Sequence, residues 1–97
     1  MPLKKVPVGR ADRRDRRESD VREVFEESET SAALDLLELT ELAWHDVYDE
    51  ISPSEQIVDD MLVVSQGNLE GLVLAARLAV ADWRDLRLAA DEIREGQ

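Results

Sequence analysis

One predicted helix carries the side chains best suited to metal chemistry. Its acids and its histidine follow one another at steps of three, four and four residues: Glu38, Glu41, His45 and Asp49. Such steps align side chains on one face of an α-helix. Carboxylates and an imidazole in this arrangement could bind a divalent cation, with Asp59 and Asp60 as the obvious ligands from a second helix. Because a single helix face does not surround an ion, we predict a solvated face with no metal and no cofactor.

The pair Glu38-x-x-Glu41 resembles the first acidic motif of the MazG-type nucleotide pyrophosphohydrolases, which are small all-α enzymes. The resemblance implies magnesium held on nucleotide phosphates by an E-x-x-E pair and by an E-x-x-D pair on the next helix. The next helix predicted here offers Glu55-x-x-x-Asp59, which is one residue longer than that second pair. Residues 23–76 also contain no lysine or arginine to hold phosphate. A magnesium-dependent nucleotide hydrolase is therefore kept as an alternative.

Nucleophilic catalysis has little support in the sequence. The chain contains one histidine, His45, and no cysteine, so a thiol nucleophile and a cysteine-ligated zinc are excluded. No serine is framed by glycines as in a nucleophile elbow. We therefore predict that the protein is not an enzyme.

The charges of the chain are divided between its two ends. Residues 1–17 hold seven basic residues against two acids, whereas residues 18–97 hold five arginines against 21 acids. Between Arg22 and Arg77 lie 54 residues with fourteen acids and no lysine or arginine. This division favours electrostatic attraction, either to a partner or between the two ends of the chain.

The acidic part predicts a non-catalytic protein-interaction or regulatory module that binds a basic partner surface through an acidic helical face. The side chains expected at that surface are Glu38, Glu41, His45, Asp49, Asp59, Asp60 and Trp83. Trp83 is included because tryptophans at the edge of a helix are frequent interface hot spots. A narrower alternative is an immunity protein, an antitoxin or a nucleic-acid mimic that inhibits a basic active site, since such proteins are often small, acidic and free of cysteine.

The basic arm supplies a different set of contacts. Its candidates for binding nucleic acid or a protein partner are Arg13, Arg14, Arg16 and Arg17. Such contacts would be independent of nucleotide sequence and sensitive to salt. A nucleic-acid accessory protein acting through the arm is thus another alternative, although the acidic body would repel phosphates. The arm is equally compatible with folding back on the acidic body.

The apolar pattern predicts an all-α fold with no sheet. We expect a bundle of three helices over about 31–50, 53–66 and 69–95, and a short fourth helix is allowed over 19–28. Ser52 is the expected N-cap of the second of these helices and Asn68 of the third. Residues 1–18 are expected to be a disordered basic arm and residues 19–97 an acidic helical bundle.

The third predicted helix has the most apolar surface. Leu72–Ala81 is apolar on nearly every side, which places it at the centre of the bundle or in an oligomer, and a homodimer through residues 72–83 is allowed. Gly71, Ala75 and Ala79 form a ridge of small residues that would let a neighbouring helix approach closely. These ten residues, which Arg77 interrupts, are too few to span a membrane. We expect a cytoplasmic protein, and the preference for Arg over Lys suggests a bacterial one.

Overall fold

Residues 9–96, which the computed structural model describes, form five α-helices and no strand. The helices are α1 (Arg10–Val24), α2 (Glu27–Tyr48), α3 (Glu55–Ser65), α4 (Leu69–Ala81) and α5 (Trp83–Glu95). Helix α4 packs against α2, α3 and α5, while α1 packs against α2. The predicted all-α class is confirmed, but the described part of the chain has more helices than the three or four expected.

Helix α1 begins inside the segment that we expected to be disordered. Residues 10–18 are helical, and the helix continues to Val24. Residues 1–8 of the predicted arm lie outside the described residues. Val21 is fully buried and Phe25, just after the helix, is 5% exposed, so both side chains pack in the core, whereas Val24 is 37% exposed. The helix extends further towards the N-terminus than predicted because its arginines meet acids on α2.

Helices α2 and α3 differ from the predictions mainly at their ends. Helix α2 begins at Glu27 and ends at Tyr48, where Asp49 adopts the left-handed conformation with φ of 58°. Helix α3 begins two residues later than expected, because Ser54 and not Ser52 is its N-cap. The Ser54 hydroxyl accepts a hydrogen bond of 3.3 Å from the Ile57 N–H. The predicted cap of α4 is confirmed, since the Asn68 side chain accepts a 2.6 Å hydrogen bond from the Gly71 N–H.

The long third helix of the prediction is broken at Asp82. This residue is extended, with φ of −165° and ψ of 108°. The Asp82 N–H donates to the Leu78 carbonyl, and this hydrogen bond completes α4. The Asp82 carboxylate accepts from the Arg84 N–H and thereby caps α5. The Tyr48 hydroxyl donates to the Ala79 carbonyl at 2.8 Å and accepts from the Trp83 N–H at 3.3 Å. The Tyr48 side chain therefore satisfies two of the backbone groups that the break frees.

The small-residue ridge of α4 faces the core and allows the close approach of a neighbouring helix that was predicted for it. Ala75 and Ala79 are fully buried. At Gly71 a Cβ atom would lie 2.3 Å from the Ser65 carbonyl oxygen, so only glycine allows the observed approach of α4 to the end of α3. In the described part of the chain, no helix is both long enough and apolar enough to cross a membrane.

Candidate functional site

The acidic side of α2 is covered by the arginines of α1. The Arg13 Nε contacts Glu41 Oε2, and Arg17 Nη1 lies 3.0 Å from the same oxygen. Glu41 and Arg17 are each only 2% exposed. Glu41 therefore binds Arg13 and Arg17 of its own chain, although all three residues were predicted to contact a partner. In this buried environment their attraction is stronger than in water, and so is the cost of leaving any one of them unpaired.

Arg14 extends this contact towards the first turns of α2. Its Nη1 lies 2.8 Å from Asp35 Oδ1 and 3.1 Å from Glu38 Oε1. These hydrogen bonds, first to Asp35 and then to Glu38, raise the pKa of Arg14. Arg16 is different, because its side chain is 56% exposed and its Nη1 is 4.0 Å from Glu55. Of the four candidate arginines of the arm, Arg16 is therefore the one directed mainly towards solvent.

The acids of α3 are also bound by arginines of the same chain. Asp60 is fully buried, with Arg87 Nε 2.6 Å from its Oδ2 and Arg94 Nη2 2.9 Å from its Oδ1. Asp59 is exposed and lies 2.9 Å from Arg94. The pKa of Arg94 is raised, first by its side-chain hydrogen bonding with Asp60. Asp59 and Asp60 therefore hold α5 against α3, a role that the sequence analysis missed.

The other predicted partner-binding residues lie near the C-terminal end of α2 and the start of α5. His45 is exposed, and its Nδ1 is 3.2 Å from the Glu50 carbonyl oxygen. Asp49 is exposed as the C-cap of α2. Trp83 is 38% exposed, and the Arg87 guanidinium lies 5.7 Å from the centre of its ring. Trp83 and Arg87, together with Trp44, line a cleft of about 400 Å³.

The predicted acidic stripe does not form a metal site within residues 9–96. No group of three or more His, Cys, Asp or Glu side chains there could hold a metal ion. Glu38 and Glu41, which carry the MazG-like pair, instead contact arginines of α1.

An apolar groove of about 440 Å³ runs between α2 and α4. Its α2 wall is formed by Leu36, Leu39, Thr40 and Ala43. Its α4 wall is formed by Val73, Ala76, Arg77, Val80 and Ala81. The Thr40 hydroxyl donates a 2.7 Å hydrogen bond to the Leu36 carbonyl, so it adds little polarity to the groove. We call these nine residues the α2–α4 groove. Arg77, which is exposed, is the one charged side chain among them.

Several large apolar side chains of α2, α4 and the segment after α2 are exposed. Leu39 is 60% exposed and Val73 43% exposed, both at the groove. Val47 is 53% exposed and Ile51 72% exposed, and Ile51 lies beyond the end of α2. The helical period correctly placed an apolar face on α2, but the face is wider than the surface that α4 covers. The apolar character of Leu72–Ala81 is the sequence signal for the α4 side of this surface.

The comparisons with known proteins do not add to this picture. No protein-family model, no curated protein and no solved structure matches the chain. The function is therefore argued from the surfaces of the molecule.

Proposed function

We propose that the chain is a non-catalytic protein-interaction module whose binding surface is the α2–α4 groove. The observation that carries this proposal is the groove itself, an apolar surface left open on a strongly acidic chain. Monomeric soluble proteins rarely expose a large continuous apolar patch unless it has a function. The groove is formed by two helices, which suits an amphipathic helix laid along it. Because Arg77 is its one charged side chain, the fitting helix has an apolar face flanked by an acid.

The hypothesis of a basic partner on the acidic face stays a prediction. Binding there would require the partner to displace arginines of the same chain. Such a partner would have to replace Arg13, Arg14 and Arg17 at Glu38 and Glu41, or Arg87 and Arg94 at Asp60. Each replacement separates an ion pair already formed within the chain. An immunity protein, antitoxin or nucleic-acid mimic that uses this face would meet the same obstacle.

The remaining alternatives use the same charged groups. For a nucleic-acid accessory protein, Arg16 is the arm candidate whose side chain is mainly exposed, and the other three already contact acids on α2. For a magnesium-dependent hydrolase, the pair Glu38 and Glu41 would have to exchange arginines for a metal. We therefore favour the groove, whose one charged side chain, Arg77, forms no ion pair with any of residues 9–96.

Site-specific photocrosslinking tests the proposal. Leu39 in the groove and Leu88 on α5 are similarly exposed, at 60% and 62%, so a benzoylphenylalanine at Leu88 is a matched control. We expect the probe at Leu39 to form a discrete adduct in the native cell and the probe at Leu88 to form none. The further change Val73→Asp should abolish the Leu39 adduct by placing a charge in the groove. Equal labelling from both positions, or none from Leu39, would contradict the proposal.

A further inference from the structure

The outer face of α4 carries two exposed charged residues. Glu70 and Arg77 are exposed, and neither forms an ion pair with any of residues 9–96. They are seven residues apart, which corresponds to about 10 Å along a helix, so they do not reach one another. Between them lie Val73, 43% exposed, and Leu74, 52% exposed. The face therefore presents two apolar side chains flanked by an acid at one end and a base at the other.

We propose that the helix fitting this surface is α4 of a second copy of the chain, packed antiparallel. The order Glu70-x-x-Val73-Leu74-x-x-Arg77 is complementary to itself when reversed. A two-fold axis between Val73 and Leu74 sets Glu70 opposite the partner's Arg77, and Arg77 opposite the partner's Glu70. The same axis sets Val73 opposite the partner's Leu74. One contact thereby satisfies two unpaired charges on each copy and covers the apolar residues between them.

Both the charges and the groove favour this occupant over other helices. In a parallel arrangement each Glu70 would face another Glu70 and each Arg77 another Arg77, so the charges select the antiparallel orientation. Val73 and Arg77 belong to the α4 wall of the groove as well as to this face, so the two surfaces are continuous. The partner's Glu70 is then the acid that the groove requires beside Arg77. The inference rests on the proposed function and names its partner.

A charge-swap series measured by sedimentation equilibrium tests the inference. We expect the full chain to dimerise reversibly. The single changes Glu70→Arg and Arg77→Glu should each weaken the dimer about tenfold or more, because each turns two attractive contacts per dimer into repulsive ones. The double variant should recover the affinity of the original chain to within about threefold, since the pairs re-form with exchanged signs. Glu92→Arg, which reverses an exposed acid on α5, is the matched control and should leave the dimer unchanged.

The double variant also separates association from folding. Glu70 lies in the first turn of α4, where an acid is stabilising, so Glu70→Arg alone lowers helix stability. The double variant carries the same defect, and recovery of the dimer in it therefore reports the contact between copies. A chain that stays monomeric up to about 1 mM, or a double variant no tighter than the singles, would overturn the inference. If the chain is monomeric while Leu39 crosslinks to another protein, the proposed function stands and this inference falls; without either result, both fall.

Discussion

Arg17 and Glu41 form an ion pair inside the protein, with 3.0 Å between Arg17 Nη1 and Glu41 Oε2 and 3% of each side chain exposed. Helix α1 buries little else, since Arg17 and Val21 are its two buried residues. Ion pairs therefore contribute much of the interaction that holds α1 on α2. The basic and acidic parts of the chain attract one another within the molecule, and Glu41 is for this reason not open to solvent.

Glu41→Gln should destabilise the protein strongly. The change leaves the buried Arg17 beside a neutral side chain, and a buried charge without its partner costs about 3 kcal/mol or more. Urea unfolding measures the loss of free energy. Glu38→Gln is the matched control, because Glu38 is 31% exposed and its pair with Arg14 should be worth about 1 kcal/mol or less. Equal losses from the two variants would show that burial of the Glu41 cluster contributes nothing extra.

Tyr48→Phe should loosen the junction between α4 and α5. The change removes the hydroxyl that donates to Ala79 and accepts from Trp83, so the cost should be about 1–2 kcal/mol. Amide hydrogen exchange should become faster at Trp83. The Leu72 amide, which donates to the Asn68 carbonyl at the other end of α4, provides an internal control and should change only with global stability. Unchanged protection of the Trp83 amide would show that the Tyr48 hydroxyl does not stabilise the junction between α4 and α5.

Gly71→Ala should destabilise the protein although alanine is the better helix former. Helix propensity favours alanine by about 1 kcal/mol. The new Cβ would, however, lie 2.3 Å from the Ser65 carbonyl oxygen, a backbone atom that moves only with the whole end of α3. Overpacking of this kind costs about 1–3 kcal/mol, so we expect a net loss. Gly96→Ala is the control, because its Cβ would be 3.5 Å from its nearest neighbour and should be tolerated. A more stable Gly71→Ala variant would contradict this packing.

The sequence was sufficient for the features that depend on local pattern. The helical class and the Asn68 cap follow from apolar spacing and capping chemistry, which act within a few residues. The pairing of Arg17 with Glu41 joins residues 24 positions apart, and it depends on how α1 and α2 meet. Spacing along one helix could show that the acids share a face, but not which cations cover them. The same limit explains why Asp60, a partner-binding candidate by its charge, is a buried structural residue.

The break at Asp82 coincides with a helix-start signal in the sequence, but the apolar period across it favoured one continuous helix. Asp82 followed by Asp85 has the form of a helix start, yet the apolar period continues across it from α4 into α5. The period predicted one helix because both segments bury the same side against α3. The break is stabilised by the Asp82 cap and by the Tyr48 hydroxyl, and Tyr48 is 34 residues away from Asp82 in sequence.

The Asp82 carboxylate should titrate below its ordinary value of 3.8, and Arg84 is the cause. The Arg84 side chain hydrogen-bonds the carboxylate and lowers its pKa most, and the Arg84 backbone N–H lowers it further. Because the folded-state pKa is the lower one, this cap stabilises the protein fully above the unfolded pKa and is lost as pH falls through the folded pKa. Arg84→Gln should raise the pKa of Asp82 but leave it below 3.8, since the backbone hydrogen bond remains. Carboxyl-carbon NMR titration measures the shift, and Arg22→Gln on α1 should not alter it. An Asp82 pKa indifferent to Arg84→Gln would mean that the backbone cap alone sets it.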